Sequence, residues 1–460
     1  MERATRALWR KELWELSRGW VFWVALGLLA AVTFTGLQVA AHRHREEQRL
    51  VQELATANGT RLQQAKTWRE LAGETFLLFA PQSAAARLVQ LASWPAYAAR
   101  PQELPTPLPL AQELPPSPVQ LLLFFVPLFM LVGCFDAVVG EKTRRTLPLL
   151  LGVVGSRKTL VAAKMAVRAG GLATVATLGV ACGLLASLPW TAPLLGDPSF
   201  LPTCLVLLLA TFLLALVFGL AAVGLSVWAE QPTQALFAGL LAYVLTTLVL
   251  PQGLASVARL AAPWPSPAAL EEQSGRLLAE LYRQEGEERL QVVRRWMSGG
   301  PDLQRWAQEE LGRLQRHYAD AVSHGLGQLA ERFFLQEHRA RTAAKALTAL
   351  LPGELFARAV TAAAGLDEEA LLGYRLQVLH YTRQLTLFLA QKQQAVAFIS
   401  FEGSQARTTD AADPSQLPQF LPSPPKPRWL AVVGALSGLA LWAILLALGT
   451  VVLFGRLAVR

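Results

Sequence analysis

Charged residues are scarce in this sequence. Of its 460 residues only 16% are Asp, Glu, Lys or Arg, whereas 53% are hydrophobic, and the mean hydropathy is +0.34. Soluble domains usually carry about 25% charged residues. The composition therefore excludes an ordinary soluble domain and directs attention to long apolar runs.

Six apolar runs are long enough to cross a membrane as helices, since about 20 residues cover a hydrocarbon core roughly 30 Å thick. We call them spans one to six: 19–41, 118–139, 166–189, 202–228, 235–251 and 429–455. Buried helices of a large soluble core are the alternative, but core helices rarely stay free of charge over such lengths. The predicted fold class is an all-α polytopic membrane protein with six transmembrane helices and helical extracytoplasmic insertions. Span one follows 18 residues rich in basic side chains and lacks a small-residue cleavage site, which predicts a retained anchor.

Cysteine and recognisable catalytic motifs are also scarce. The three cysteines all lie within or beside spans, which argues against a disulfide framework. His42 and His44 have metal-ligand spacing, but a solvated turn at a membrane exit explains them better. H-E-x-x-H and G-x-S-x-G are absent. We therefore predict no catalytic, cofactor or metal site, and a membrane-embedded hydrolase is disfavoured.

The stretch GSRKT, residues 155–159, suggests a phosphate-binding loop but fails its spacing. That loop needs G-x-x-x-x-G-K-[ST], because its glycines let backbone N–H groups surround phosphates while its lysine reaches the terminal ones. Counted from Gly152, Arg157 stands where the second glycine belongs, and counted from Gly155, Lys158 comes too early. We expect any ATPase activity to reside on a separate subunit.

Ionisable residues within the spans are few. Asp136 lies near the inner end of span two and Arg168 near the inner end of span three. A proton or ion path usually places such groups at mid-depth. We interpret both residues as interfacial ion-pair partners.

The basic residues predict the orientation in the membrane. Fourteen Lys and Arg residues fall on one side of the six-span arrangement, against six acids, and account for most of the net charge of +9. Basic residues favour the cytoplasmic side. Both termini and the loop between spans two and three are therefore predicted to be cytoplasmic. This distribution explains the high pI without a nucleic-acid partner, which would need a basic face on a folded domain.

The remaining segments divide between the two sides. Residues 1–18 form an interfacial helix in this interpretation, and 140–165 form the cytoplasmic loop that precedes the three spans within 166–251. Residues 42–117 and 252–428 face outward, and both end in proline-rich connectors.

The segment 252–428 has a helical pattern, and neither outward segment shows a strong strand pattern. Its apolar residues recur at steps of three and four in two stripes, which predict packed helices: Leu311, Leu314, Tyr318, Val322, Leu326, Leu329 and Phe333, then Leu371, Tyr374, Val378, Tyr381, Leu385 and Phe388. Gly365 and Asp367 supply a helix stop and a helix start between the stripes.

The loop GEKTRRTLPLLLGVVGSRKTLVAAK, residues 140–164, resembles the cytoplasmic loop of ABC-2 type transporter permeases. That family tends to have Gly-Glu, then Gly-Thr-Leu and a leucine run, then Ser-Arg, with Lys about seven residues later. The matching residues are Gly140, Glu141, Thr146, Leu147, Leu149 to Leu151, Ser156, Arg157 and Lys164. The sequence departs at Arg145, where Gly is usual, and at GVVG, where Ser-x-Pro is common. Residues 240–267 and 350–385 are similar to the subfamily with a large extracytoplasmic insert before the last span.

The resemblance implies a permease subunit in the bacterial cytoplasmic membrane, paired with a second copy of itself or a sister permease. It would couple ATP hydrolysis by a separate ABC ATPase to export or to extracytoplasmic conformational work. The loop would dock into a cleft of that ATPase. Apolar contacts would come from Leu147, Leu150 and Leu151, and rim charges from Glu141, Arg144, Arg145 and Arg157.

Two alternatives remain open at this point. The basic loop could instead contact anionic lipid headgroups. The whole chain could instead be a membrane scaffold that transports nothing and binds envelope partners through its helical outward domain. The sequence identifies no substrate.

Overall fold

A computed structural model describes residues 9–12, 14–15, 17–64, 68–78, 96–108, 117–154, 156–191, 197–261, 265–299, 303–392, 413–423 and 426–456. Among these residues six helical segments are long and apolar enough to cross a membrane. Their bounds are Phe22–Val39, Pro118–Thr143, Arg157–Pro189, Phe200–Trp228, Pro232–Ala258 and Trp429–Arg456. The structure thus confirms the all-α polytopic class, and we keep the names spans one to six.

Several spans are built from more than one helix. Span one is the first part of α1, Trp20–Gln64, which continues unbroken beyond the apolar run. Span two joins α3, Pro118–Cys134, to α4, Val139–Thr143. The helix α2, Trp68–Gly73, lies between them in the chain.

A short helix, α5 (Leu147–Val154), separates spans two and three. Span three runs through α6, Arg157–Lys164, and the π-helical residues Met165–Gly170 into α7, Gly171–Thr191. Span four is α8, Phe200–Trp228. The end of the bundle that carries residues 140–156 is called the loop end below, and the opposite end is called the insert end.

Span five also contains a π-helical segment. It joins α9, Pro232–Val244, through Leu245–Val249 to α10, Leu250–Ala261. Span six is α15, Trp429–Arg456.

Close glycine contacts hold span one against span three. A Cβ on Gly183 would lie 2.6 Å from the Ala30 carbonyl oxygen, and one on Gly179 would lie 3.0 Å from that of Leu26. A side chain at either position would force the two helices apart. The resulting backbone approach fits the small-residue helix packing found in membranes, where apolar burial gives little drive for association.

At the insert end, the described part of residues 252–428 contributes four further α-helices. They are α11, Pro267–Gly299; α12, Gln304–Thr348; α13, Pro352–Ala363; and α14, Glu368–Lys392. The two apolar stripes lie on α12 and α14, which pack together. As predicted, a turn separates α13 from α14: Gly365 takes φ 70°, and Asp367 Oδ1 accepts a 3.0 Å bond from the Ala370 N–H.

A small antiparallel sheet was not predicted. Its strands are β1, Phe76–Leu78; β2, Ala96–Ala99; and β3, Thr106–Leu108, in the order β1-β2-β3. The sequence of this region shows no strong strand pattern, yet three short strands form there. Strands of three or four residues are too short to show an alternating pattern. Pro107 is tolerated because β3 is an edge strand.

The sheet and the insert share one hydrophobic core. Trp68, Phe76 and Tyr97, from the first segment, pack with Tyr374, Val378 and Leu385 of α14. Residues from 42–117 and from 252–428, which the sequence suggested as two segments, therefore fold as one unit at the insert end.

The helix α13 packs into the transmembrane bundle. Phe356 and Val360 are fully buried in the same core as spans two, four and six. The indole N–H of Trp442 on span six donates to the Leu350 carbonyl at 2.7 Å. The unit at the insert end is thus anchored on the bundle through buried contacts.

Candidate functional site

The polypeptide reverses direction after α4 through a Schellman motif. The Thr146 N–H donates to the Glu141 carbonyl at 3.0 Å, and the Arg145 N–H donates to the Lys142 carbonyl at 3.1 Å. This motif places one residue in the left-handed region, a position that glycine normally fills. Here Arg145 occupies it with φ 57°. The family glycine that this sequence lacks therefore has a geometric role, which Arg145 performs under local strain.

The helix α5 divides its apolar residues between two faces. Leu147 is buried, with only 4% of its surface exposed, and Val154 is buried at the other end of the helix. Leu149 and Val153, four residues apart on the opposite face, are 71% and 68% exposed. These two side chains form an apolar surface at the loop end that no described residue covers.

The structure places the predicted docking leucines mainly behind this surface. Leu147 belongs to the core, and Leu150 and Leu151 are partly buried against it. Leu149 and Val153 were not singled out from the sequence. The helical period could have identified them, because residues 147, 151 and 154 share one face of a helix and residues 149 and 153 share another.

The predicted rim charges point in two directions. Arg144, Arg145 and Arg157 are exposed around α5. Glu141 instead turns inward, where the Thr146 hydroxyl donates to its carboxylate and Lys11 Nζ lies 3.2 Å from Oε1. Glu141 thus serves contacts within the chain.

A buried ion cluster joins three parts of the chain beside α5. Its centre is Glu12, which is 0% exposed; Oε1 lies 2.8 Å from Lys164 Nζ and Oε2 lies 3.1 Å from Arg168 Nε. Arg168 also reaches Glu15 at 3.2 Å, and Lys164 reaches Glu141 at 3.5 Å. We call these residues, together with Lys11, the Glu12 cluster. Arg168 lies in the π-helical Met165–Gly170, a geometry often found at functional positions.

The charges of the Glu12 cluster balance one another. Burial alone would raise the pKa of Glu12, but the nearby Lys164 and Arg168 outweigh it, so that this pKa lies below its ordinary value. Burial acts to lower the pKa of Lys11, but Glu141 and Glu15 act in the opposite direction and outweigh it. The pKa of Lys11 therefore lies above its ordinary value. Both groups are therefore held in their charged forms.

The cluster explains two predicted features and was itself missed. Arg168 forms ion pairs with Glu12 and Glu15, as the sequence suggested for a pairing role, and Lys164 of the loop motif reaches Glu12. The available signal was the spacing of Glu12 and Glu15, which share one face of the helical residues described between 9 and 18.

A second set of contacts ties the loop to span four. Ser226 Oγ accepts 2.9 Å hydrogen bonds from the backbone N–H groups of Val138 and Val139. Lys142 Nζ donates to the Val227 carbonyl and, at 3.0 Å, to that of Ala229, which satisfies the free end of α8. Displacement of the loop would therefore strain spans two, three and four together.

The unit at the insert end contains a cleft of about 470 Å³. Tyr282, Glu285, Gln315 and Tyr318 line it, and Glu285 pairs with Arg289 at 2.5 Å. The described residues contain no group of three His, Cys, Asp or Glu side chains suited to a metal ion. His42 lies 3.2 Å from Glu46, and the His44 side chain is outside the described residues.

No curated protein matches this chain. The family model described as "ABC-2 family transporter protein" matches residues 6–457, nearly the full length. Together with the six spans and the loop that follows span two, this match establishes that the chain belongs to the ABC-2 family of transporter proteins.

Proposed function

We propose that the chain is the permease subunit of an ATP-driven transporter and that α5 docks onto a separate ABC ATPase. The observation that carries this proposal is the exposed apolar face of Leu149 and Val153, with Arg144, Arg145 and Arg157 around it. An apolar centre with a charged rim is the usual anatomy of a protein interface. Leu150 and Leu151 lie beside the exposed pair Leu149 and Val153, while Leu147 packs the opposite face of α5 against the core.

The direction of the chain in the membrane follows from charge. The loop end carries the predicted excess of Lys and Arg, so it faces the cytoplasm, where ATP is available. Both termini lie on that side of the bacterial cytoplasmic membrane, and the unit at the insert end lies outside.

Spans five and six expose apolar faces that suit lipid and a second permease. Phe237 is 70% exposed, and Leu445 and Leu448 on span six are also exposed. We propose that the permease works as a dimer with itself or with a sister chain, and that lipid covers the remaining faces.

Two outcomes of the ATPase stroke fit this arrangement: export of a substrate, or conformational work on the unit at the insert end. The second outcome is supported by α13, which packs between the spans and belongs to the insert. A membrane scaffold without an ATPase remains the contrasting function.

Leu149→Asp tests the docking. Burying one leucine side chain contributes about 1.5–3 kcal/mol, and an unpaired carboxylate in the same contact adds a penalty. We expect affinity for the purified ABC ATPase partner to fall at least about tenfold, while the permease still inserts. Leu421→Asp is the control, because Leu421 is 82% exposed at the insert end. Equal ATPase affinity in both variants would favour the lipid-headgroup interpretation of the loop.

A further inference from the structure

The Glu12 cluster is not used by the docking surface. Glu12 and Lys164 are almost completely buried, so neither can contact a partner. Buried ion pairs are also a poor source of stability, because desolvation offsets most of their attraction. What such a pair supplies is a fixed geometry between the elements that carry its members.

The Glu12 cluster connects two elements: the residues that precede span one, and the loop end of span three. A second attachment between the same two spans is the glycine contact at Gly179 and Gly183. Arg168 and Gly183 are 15 residues apart, or roughly 22 Å along a helix. Two attachments at this separation fix both the position and the angle of one helix against the other.

We propose that Glu12 and Lys164 are positioning residues that clamp the N-terminal residues and span one to span three, so that the stroke on α5 moves both spans as one unit. The joint motion of the two spans rests on the proposed docking of an ATPase, whereas the clamp is a property of the permease alone. The helix α1 then carries the movement outward, because it continues without a break from Trp20 to Gln64 and its outer part contacts β1. Its 45 residues correspond to a length of roughly 67 Å.

The clamp is tested first on the permease alone in lipid nanodiscs. Spin labels are attached at Ser17 and Lys158, both exposed, after replacement of the three native cysteines. Pulsed electron resonance then gives the distribution of distances between the labels. We expect Glu12→Gln to broaden this distribution at least twofold. The matched control is Glu230→Gln, because Glu230 is exposed at the loop end and is not part of the cluster; it should leave the width nearly unchanged. A Glu12→Gln distribution as narrow as that of the parent overturns the clamp.

The second test needs no substitution in the cluster. The labelled parent is bound to its ATPase and measured without nucleotide and in an ATP-trapped state. We expect the distance between Ser17 and Lys158 to stay the same in both states. A change in the distance between Ser17 and Lys158 means that the clamp opens during the stroke, which overturns the proposal. Failure of the parent to bind any ABC ATPase refutes the docking instead, and the test on the permease alone still decides the clamp.

Discussion

Replacing Lys164 with methionine perturbs the Glu12 cluster with little change in shape. Methionine keeps an unbranched side chain but leaves Glu12 Oε1 without the ammonium group that lies 2.8 Å away. Removing one member of a buried pair typically costs about 3–5 kcal/mol. Because Arg168 Nε still lies 3.1 Å from the other carboxylate oxygen, we expect a loss of about 3 kcal/mol, at the lower end of that range.

The double variant Glu12→Leu/Lys164→Met removes both charges and retains apolar volume. Apolar replacement of a complete buried pair is often neutral or stabilising, so the double variant should be more stable than Lys164→Met alone. Denaturant unfolding of the detergent-solubilised permease, followed by tryptophan fluorescence, measures the parent, both single variants and the double variant. We expect a coupling energy of about 2 kcal/mol. Additive losses in the double variant would refute the view that the two side chains act as a buried pair.

We make three further predictions, on the orientation in the membrane, the turn at Arg145 and the pH dependence of stability. A cysteine at Ser274 should react with an impermeant maleimide in intact cells and one at Ser156 should not; labelling of Ser156 alone would reverse the orientation. Arg145→Gly should stabilise the permease by about 1 kcal/mol, because glycine accepts the left-handed φ of 57° without strain, and a lower unfolding midpoint would contradict this role. Lys164 and Arg168 outweigh burial and lower the pKa of Glu12 in the folded state, so the ionised Glu12 stabilises the fold above about pH 4.5, and this contribution is lost as the pH falls further. The parent should therefore lose more stability on acidification than Glu12→Gln. Parallel pH profiles of the two proteins would count against this prediction.

The features that the sequence predicted are those with local or periodic signals. Apolar runs identified the six spans because a bilayer imposes a minimum length on each helix. The stripe that contains Tyr318 and Val322, and the one that contains Tyr374 and Val378, identified the faces of two long helices. The turn at Gly365 and Asp367 followed from the residues that end and begin helices.

The features that were missed depend on contacts between distant residues. Glu12 meets Lys164 across 152 positions, and Tyr97 packs beside Tyr374 across an even longer separation. Neither pair leaves a pattern within a window of the sequence. The burial of α13 was missed for a different reason, since an amphipathic helix looks the same whether its apolar face packs on soluble helices or on spans.

The sequence assigned the proposed docking contacts to Leu147, Leu150 and Leu151, whereas the structure exposes Leu149 and Val153 of the same helix. A leucine run supplies apolar side chains all around a short helix, and only the fold decides which of them face inward. Leu147 is inside because α5 lies on the core, which leaves Leu149 and Val153 outside. Whether an ATPase covers them is the central claim.

A photoreactive amino acid at position 149 tests that claim most directly. The permease in nanodiscs is mixed with its purified ABC ATPase partner and illuminated, and crosslinked peptides are identified by mass spectrometry. Position 421, which is also exposed but lies at the insert end, serves as the control. We expect crosslinks from position 149 to a single cleft of the ATPase and none from position 421. Crosslinks from position 149 to lipid alone, with the ATPase present in excess, would contradict it.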